Sequence, residues 1–394
     1  MKSLLLIYEN AAGEPADELD GRTPLQVARC PAATRLASEG LCGVLARVPS
    51  GEGARAEALL AALMGVPRAD AWRLARGPLE AEAVGADWAT YPYAYRADLV
   101  TMDEGVMRDG CLVNLTRAET DQLVGTLQDA LDALPARIKT VDAGHAVVMV
   151  QQDEAKLDIG FAPWLVKGVD EVPRPEGKRT QVRRKVMERA VQALDRQTIN
   201  DVRVDLGENP VNALWLWGGG PQVELLEKFG GRPLKGIMLT QSAMAHGLAM
   251  SLGLPVEALA SPCSASDGTA VVDAEYMAKL FKAYDVVVVY VEAPPELIRG
   301  SAADKVRMLE RMDLLLTDPL LEAVKKVKHR RFVLATVPAA SDGTQRARGP
   351  VLPVAVWGAH VVADEVLRWD EISCAEGELK RAEPTEVFGR LVGG

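Results

Sequence analysis

The chain has 394 residues, with 45 Lys and Arg against 55 Asp and Glu, a formal charge of −10, and 48% apolar residues. This is the composition of an ordinary globular protein, long enough for one large α/β domain or for two, and it excludes disordered and fibrous classes. The acidic balance argues against a nucleic-acid partner, because neutralising phosphates takes clustered Lys and Arg.

Leu4 to Tyr8 is an apolar run that predicts a buried strand, followed by a Gly/Pro/Asp-rich loop. Thr23-Pro24 predicts the cap and first turn of a helix through about Ser38. Leu41 to Val48 suits a second strand and Gly51-Glu52-Gly53 a loop, after which Ala54 to Met64 reads as a helix stopped by Gly65 and Pro67. Asn114-Leu115-Thr116 with Glu119 forms a capping-box pattern before a helix to about Leu134. Ala146 to Gln151 predicts a strand, Gly168 to Thr180 is polar and Pro/Lys-rich, and Val182 to Leu194 is an amphipathic helix. Beyond it, strands are predicted at Ala213–Trp217, Ile237–Thr240, Val286–Val291, Phe332–Ala335 and Val354–Trp357. They alternate with helices at Gln222–Phe229, Ala243–Leu252, Ser301–Thr317 and Leu320–Lys326. Such alternation implies a mainly parallel sheet with helices on both faces. Only the segment at about 113–190 breaks the rhythm, so the expected organisation is a core of 1–112 and 191–394 with an inserted α+β subdomain at 113–190.

No stretch approaches the ~20 apolar residues of a membrane span, and the opening residues are too few for a signal peptide's apolar region. The five cysteines (Cys30, Cys42, Cys111, Cys263 and Cys374) include no Cys-x-x-Cys pair, and the four histidines are far apart. That pattern points to a reduced, cytoplasmic setting and offers no zinc site at ligand spacing.

Trp215-Leu216-Trp217-Gly218-Gly219-Gly220-Pro221 lies between a predicted strand and a predicted helix, where backbone amides can cradle phosphate. It lacks the Lys-Ser/Thr of a Walker loop, and Val223 interrupts any dinucleotide fingerprint, so a tight turn after a core strand is the preferred reading. Arg76-Gly77-Pro78-Leu79-Glu80 reads as a compact charged turn. An Arg there can bind an anion, although a surface salt bridge is the commoner fate. The basic run from Lys325 to Arg331 suits a solvated helix end. No Gly-x-Ser-x-Gly and no His-Glu-x-x-His occurs.

Six stretches taken together resemble the archaeal-type, cofactor-independent phosphoglycerate mutases of the alkaline phosphatase superfamily. They are Asp20-Gly21-Arg22-Thr23-Pro24-Leu25 with Ala28-Arg29, Ala37-Ser38-Glu39-Gly40-Leu41-Cys42-Gly43, Arg76-Gly77-Pro78-Leu79-Glu80-Ala81, Arg96-Ala97-Asp98-Leu99-Val100-Thr101, Trp215-Leu216-Trp217-Gly218 and Val291-Glu292-Ala293-Pro294. The resemblance implies an alkaline phosphatase-like α/β fold, with two divalent metals that clamp the phosphoryl group and a Ser nucleophile that becomes phosphorylated. Against that pattern the first-strand Asp-Gly reads Glu9-Asn10, and the nucleophile position falls on Ala56, beside Glu57. Ligand positions fall on Pro295, Arg299, Val337, Pro338 and Ala347, and a Lys at a helix start falls on His246.

The expectation is therefore a mutase-like protein without catalysis, turned to binding or assembly. No cofactor is predicted for it, and no residue is assigned as catalytic. The pocket candidates are Glu9, Asn10, Glu57, Arg76, His246, Glu296 and Arg299. A runner-up is an active enzyme doing metal-free chemistry with Glu9, Glu57, Glu296 and Arg299; a third reading is a divergent mutase that binds two Mn or Zn ions. Expected partners are a protein or a second copy of the chain, or a small phosphorylated ligand, with no nucleic acid and no membrane.

Overall fold

A computed structural model of the chain describes residues 1–46, 55–112, 114–151, 156–166, 181–195, 197–225, 229, 234–260, 270–339 and 350–393. Two compact units emerge, an outer one from Met1–Trp72 with Leu225–Gly394 and an inner one from Arg73–Glu224. The inner unit is wider on both sides than the expected 113–190. Its central strand and its last strand lie outside those bounds, and neither could leave its sheet without exposing a core.

In chain order the strands are β1 (Lys2–Glu9) and β2 (Leu41–Leu45), then β3 (Tyr93–Asp103), β4 (Val106–Asp109), β5 (Ala136–Asp142), β6 (His145–Val150) and β7 (Ala213–Pro221) of the inner unit. The outer unit resumes with β8 (Gly236–Thr240), β9 (Val256–Ala258), β10 (Val286–Val291), β11 (Arg330–Val337), β12 (Pro353–Gly358) and β13 (Lys380–Ala382).

The outer sheet runs β13-β2-β12-β11-β1-β10-β8-β9. Its β11-β12 and β12-β2 pairings are antiparallel and the others parallel. β1 lies between β10 and β11 and is buried from Ser3 to Glu9, which explains its unbroken apolar run. The helix expected from Thr23 to Ser38 is two helices, Pro24–Val27 and Pro31–Ser38. Pro31 has no amide proton to continue the first helix but suits the first turn of the second. The long helix expected over Ser301–Thr317 runs from Ala302 to Met312 and then widens into a π turn, Asp313–Thr317, before the helix Asp318–Lys325.

The inner sheet is antiparallel, with β3 at its centre between β6 and β7 and with β5 beyond β6 at the edge. The helices Arg117–Leu131 and Gln181–Leu194 cover one face through Leu123, Leu127, Val186 and Ala190. Thr116 caps the first of these with the expected capping box to Glu119. On the other face Ala81 of the helix Arg76–Ala83 packs against Ala94, Val147 and Met149.

Two motif expectations change here. The Trp215–Pro221 stretch is not a turn: β7 continues through it to Pro221, and no helix starts at Gln222. A Cβ on Gly219 would lie 2.3 Å from the Tyr95 ring, so glycine here allows close packing of strands. The amides of Gly218 and Gly219 already donate to Ile159 O (2.6 Å) and Asp158 O (2.8 Å), leaving no phosphate cradle. The charged stretch at Arg76 is likewise a buried helix. A Cβ on Gly77 would lie 2.5 Å from the Arg96 amide nitrogen, so this helix seats directly on β3. The polar stretch 168–180 and the loop 51–53 fall outside the described residues.

Candidate functional site

Parallel strands end together, and the carboxyl ends of β1, β10 and β11 form one edge of the outer sheet. In α/β sheets this edge is where ligands bind, because loops and helix starts converge there. Glu9 and Asn10 close β1, Glu292 to Pro294 follow β10, and Val337-Pro338 close β11.

The side chains at this edge are committed to the protein's own backbone. Glu9 is buried, and its Oε2 accepts the Ala293 amide at 2.9 Å. Asn10 adopts a left-handed backbone (φ 60°), a conformation that Asn tolerates better than most residues. Its amide donates to Val337 O at 2.6 Å and its Nδ2 donates to Leu297 O. Ala11 N donates to Thr336 Oγ1 at 3.2 Å. The turn after β1 is thereby tied to both neighbouring strands.

The helix Ala56–Leu63 packs on β11 and on the helix Ala243–Ser251. Its first residue, Ala56, is fully buried (0% exposed). Beside it Arg55 and Glu57 are both buried and lie 3.5 Å apart, and Arg55 Nη2 donates to Trp72 O at 2.6 Å. Glu57 is thus balanced by an arginine that the sequence reading passed over; the signal was the Arg-x-Glu spacing at a helix start.

Further back, the carboxylate of buried Glu371 accepts Gly13 N at 2.8 Å and Thr23 Oγ1 at 2.6 Å, holding the loop after β1. Burial raises its pKa. Burial also lowers the pKa of Lys305, which nearby Glu371 partly offsets. Buried Asp313 in the π turn accepts the amides of Ala32 and Ala33 at 2.9 Å each, capping the helix Pro31–Ser38 from another element. Desolvation pushes its carboxyl pKa up to about 6 against those two hydrogen bonds.

Of the remaining sequence candidates, His246 is half-buried on the helix Ala243–Ser251, which Ser242 caps after β8. Pro295 opens the helix Pro295–Arg299, and Arg299 at its end is exposed. The side chains of Pro295 and Glu296, and all of Ala347, lie outside the described residues. Val337 is buried and Pro338 half-buried, neither with a donor atom to offer a cation.

Arg76 does not belong to this edge. It sits in the inner unit, 2% exposed, and its Nε donates to Glu80 Oε1 at 2.9 Å. The same oxygen accepts Arg96 Nη1 at 2.6 Å, and Arg96 also pairs with Asp98 at 2.9 Å. Trp217 Nε1 donates to Asp98, and its ring lies 5.9 and 5.6 Å from the two guanidinium carbons. Two arginines and two carboxylates cancel, so of the two readings offered for Arg76 the salt bridge holds, buried in a neutral network rather than at the surface, and Arg76 is no pocket residue. The carboxylates keep Arg96 firmly protonated despite its burial.

The described donors at the outer edge do not make up a ligand set for two divalent cations. Hard cations need several free oxygens or imidazoles converging on one point. Glu9 takes a backbone amide, Glu57 faces Arg55, and Ala56, Val337 and Pro338 contribute nothing. Among the described residues, no group of three or more His, Cys, Asp or Glu side chains is placed to hold a metal ion. No described helix is long and apolar enough to cross a membrane.

The family model described as 2,3-bisphosphoglycerate-independent phosphoglycerate mutase matches residues 37–200. The chain is 30% identical over 399 residues to 2,3-bisphosphoglycerate-independent phosphoglycerate mutase 2 of Methanothermobacter thermautotrophicus, covering 96% of this chain and 94% of that protein. Among solved structures, a Pyrococcus horikoshii protein aligns with a TM-score of 0.69 and 20% identity, over 100% of this chain and 97% of that one. The cofactor-independent phosphoglycerate mutase of Thermoplasma acidophilum aligns with a TM-score of 0.55 and 22% identity, over 100% and 99% of the two chains. At those identities the structural likenesses bear on the fold.

Proposed function

This chain belongs to the 2,3-bisphosphoglycerate-independent phosphoglycerate mutase family, and from that premise we propose that it is a catalytically silent member, kept as a binding or assembly protein. One observation carries the reading: Ala56, which the resemblance aligns with the phosphorylated Ser, is a fully buried methyl group at a helix start. Its neighbour Glu57 is matched by Arg55. A methyl group cannot attack phosphorus. Phosphoryl transfer draws most of its catalysis from electrostatic stabilisation of the transferring group, and the described carboxylates at this edge, Glu9 and Glu57, are already engaged by Ala293 N and Arg55. Loss of donors at several positions together also removes buried charges that would be costly without a metal.

Elemental analysis of protein purified from medium containing manganese and zinc tests this reading. Less than stoichiometric metal is expected. Two ions per chain, lost in Glu9→Ala, would favour the rival reading that family membership itself supports, a divergent mutase. The metal-free alternative gains little from the geometry, since Glu9 and Glu57 are engaged and Arg299 is exposed.

A further inference from the structure

We propose that the inner unit carries a binding site for a small organic oxyanion, in the cleft between the edge strand β5 and the 87–91 loop. Along β5 the side chains alternate. Ala136 and Ile138 enter the core beneath the helices, which sends Arg137 and Lys139 to the opposite face of the sheet. The register sets Arg137 opposite Met149 and Lys139 opposite Val147. On that face lies a cleft of about 250 Å³, lined by Asp87, Thr90, Tyr91, Arg137, Lys139 and Met149.

The lining divides into fixed and unsatisfied groups. Lys139 Nζ donates to Gly85 O at 2.6 Å and to Val84 O at 3.3 Å, which pins one wall and leaves a third ammonium proton to spare. Asp87 is engaged by Thr90, whose backbone amide donates to Oδ1 at 3.3 Å, and with the Thr90 hydroxyl this holds the Asp87 carboxyl below its usual range. Arg137 is different: its guanidinium is exposed and has no hydrogen-bond or ion-pair partner among the described residues. Two cations face one occupied carboxylate, so the cleft is net positive although the chain as a whole is acidic. The Arg fork matches the two oxygens of a carboxylate or phosphate. The apolar part of the lining is the half-buried Tyr91 ring, packed on the Ala81–Ala94–Val147 cluster, with the edge of Met149, which is 1% exposed and belongs to that cluster. The volume falls short of the range for drug-sized ligands. The class that fits is one flat ring or short carbon chain bearing a single oxyanion.

Titration calorimetry on the full chain with phenyl phosphate, benzoate and inorganic phosphate tests this. Binding of phenyl phosphate or benzoate at millimolar concentration is expected, at least ~10-fold tighter than inorganic phosphate. Which of the two binds identifies the oxyanion as phosphate or carboxylate. Arg137→Gln, an exposed change whose folding is checked by its melting temperature, is expected to weaken binding ~10-fold or more. Tyr91→Leu should narrow the margin over inorganic phosphate, and Asp87→Asn should tighten binding. Absence of binding of either organic anion by the wild type, or Arg137→Gln binding as tightly as wild type, overturns the proposal.

Discussion

The outer and inner units both bury charge, and they neutralise it in different ways. In the outer unit, carboxylates are met mostly by backbone amides: Glu9 by Ala293, Asp313 by Ala32 and Ala33, and Glu371 by Gly13 with the Thr23 hydroxyl. In the inner unit, Arg76, Glu80, Arg96 and Asp98 neutralise one another. With dipoles alone against its desolvation, the Asp313 carboxyl is pushed up to about 6. The comparison also separates a buried arginine from an anion site. Arg76 is spent on Glu80, while Arg137 at the sheet edge has no partner among the described residues.

The largest expected effect lies in the inner network. Arg96→Met leaves Glu80 and Asp98 without a shared counter-charge and should cost about 3–5 kcal/mol in denaturant unfolding. Removing a balanced pair instead, Arg76→Met with Glu80→Met, leaves Arg96 on Asp98 and should cost less than the single change. If the double variant is the less stable, the neutral-network account is wrong.

The outer unit's test is a pH dependence. The folded pKa of Asp313 lies above its ordinary value, so its contribution to stability is full below about 3.8 and is lost as pH rises through about 6. Measured against Asp313→Asn, the wild type should lose on the order of 2 kcal/mol between pH 4 and pH 7. A flat difference over that range would mean that the two amides alone hold the charge.

A smaller effect is expected at the edge. Ala56→Ser adds a buried hydroxyl and should cost about 1 kcal/mol or less. It should also fail to form phosphoserine when incubated with phosphoglycerate, because one hydroxyl does not restore a cation site. Mass spectrometry of the variant checks this, and a stable phosphoserine would show that nucleophile loss alone silenced the edge.

Local patterns were legible in the sequence. The Leu4–Tyr8 and Val286–Val291 runs, the Thr116–Glu119 box and the stop at Gly65 each depend on neighbours within a few residues, and all appear in the structure. What was not legible depends on distant partners. Gly218–Gly220 look like a turn until the Tyr95 ring is seen to fill the space of a Gly219 side chain, with Arg76 close to Gly218 and Ala75 and Pro78 close to Gly220. Arg76 looks exposed until Arg96 and Asp98, brought by another strand, complete its network. At the outer edge the resemblance located Glu9, Asn10 and Ala56. It could not show that Ala293 and Leu297 would occupy the polar atoms of the first two.

The central claim, a mutase fold without mutase chemistry, is tested most directly by a coupled phosphoglycerate mutase assay of the full chain with added manganese. The account predicts no turnover above background at any metal concentration. Interconversion near an ordinary ~10 per second would contradict it.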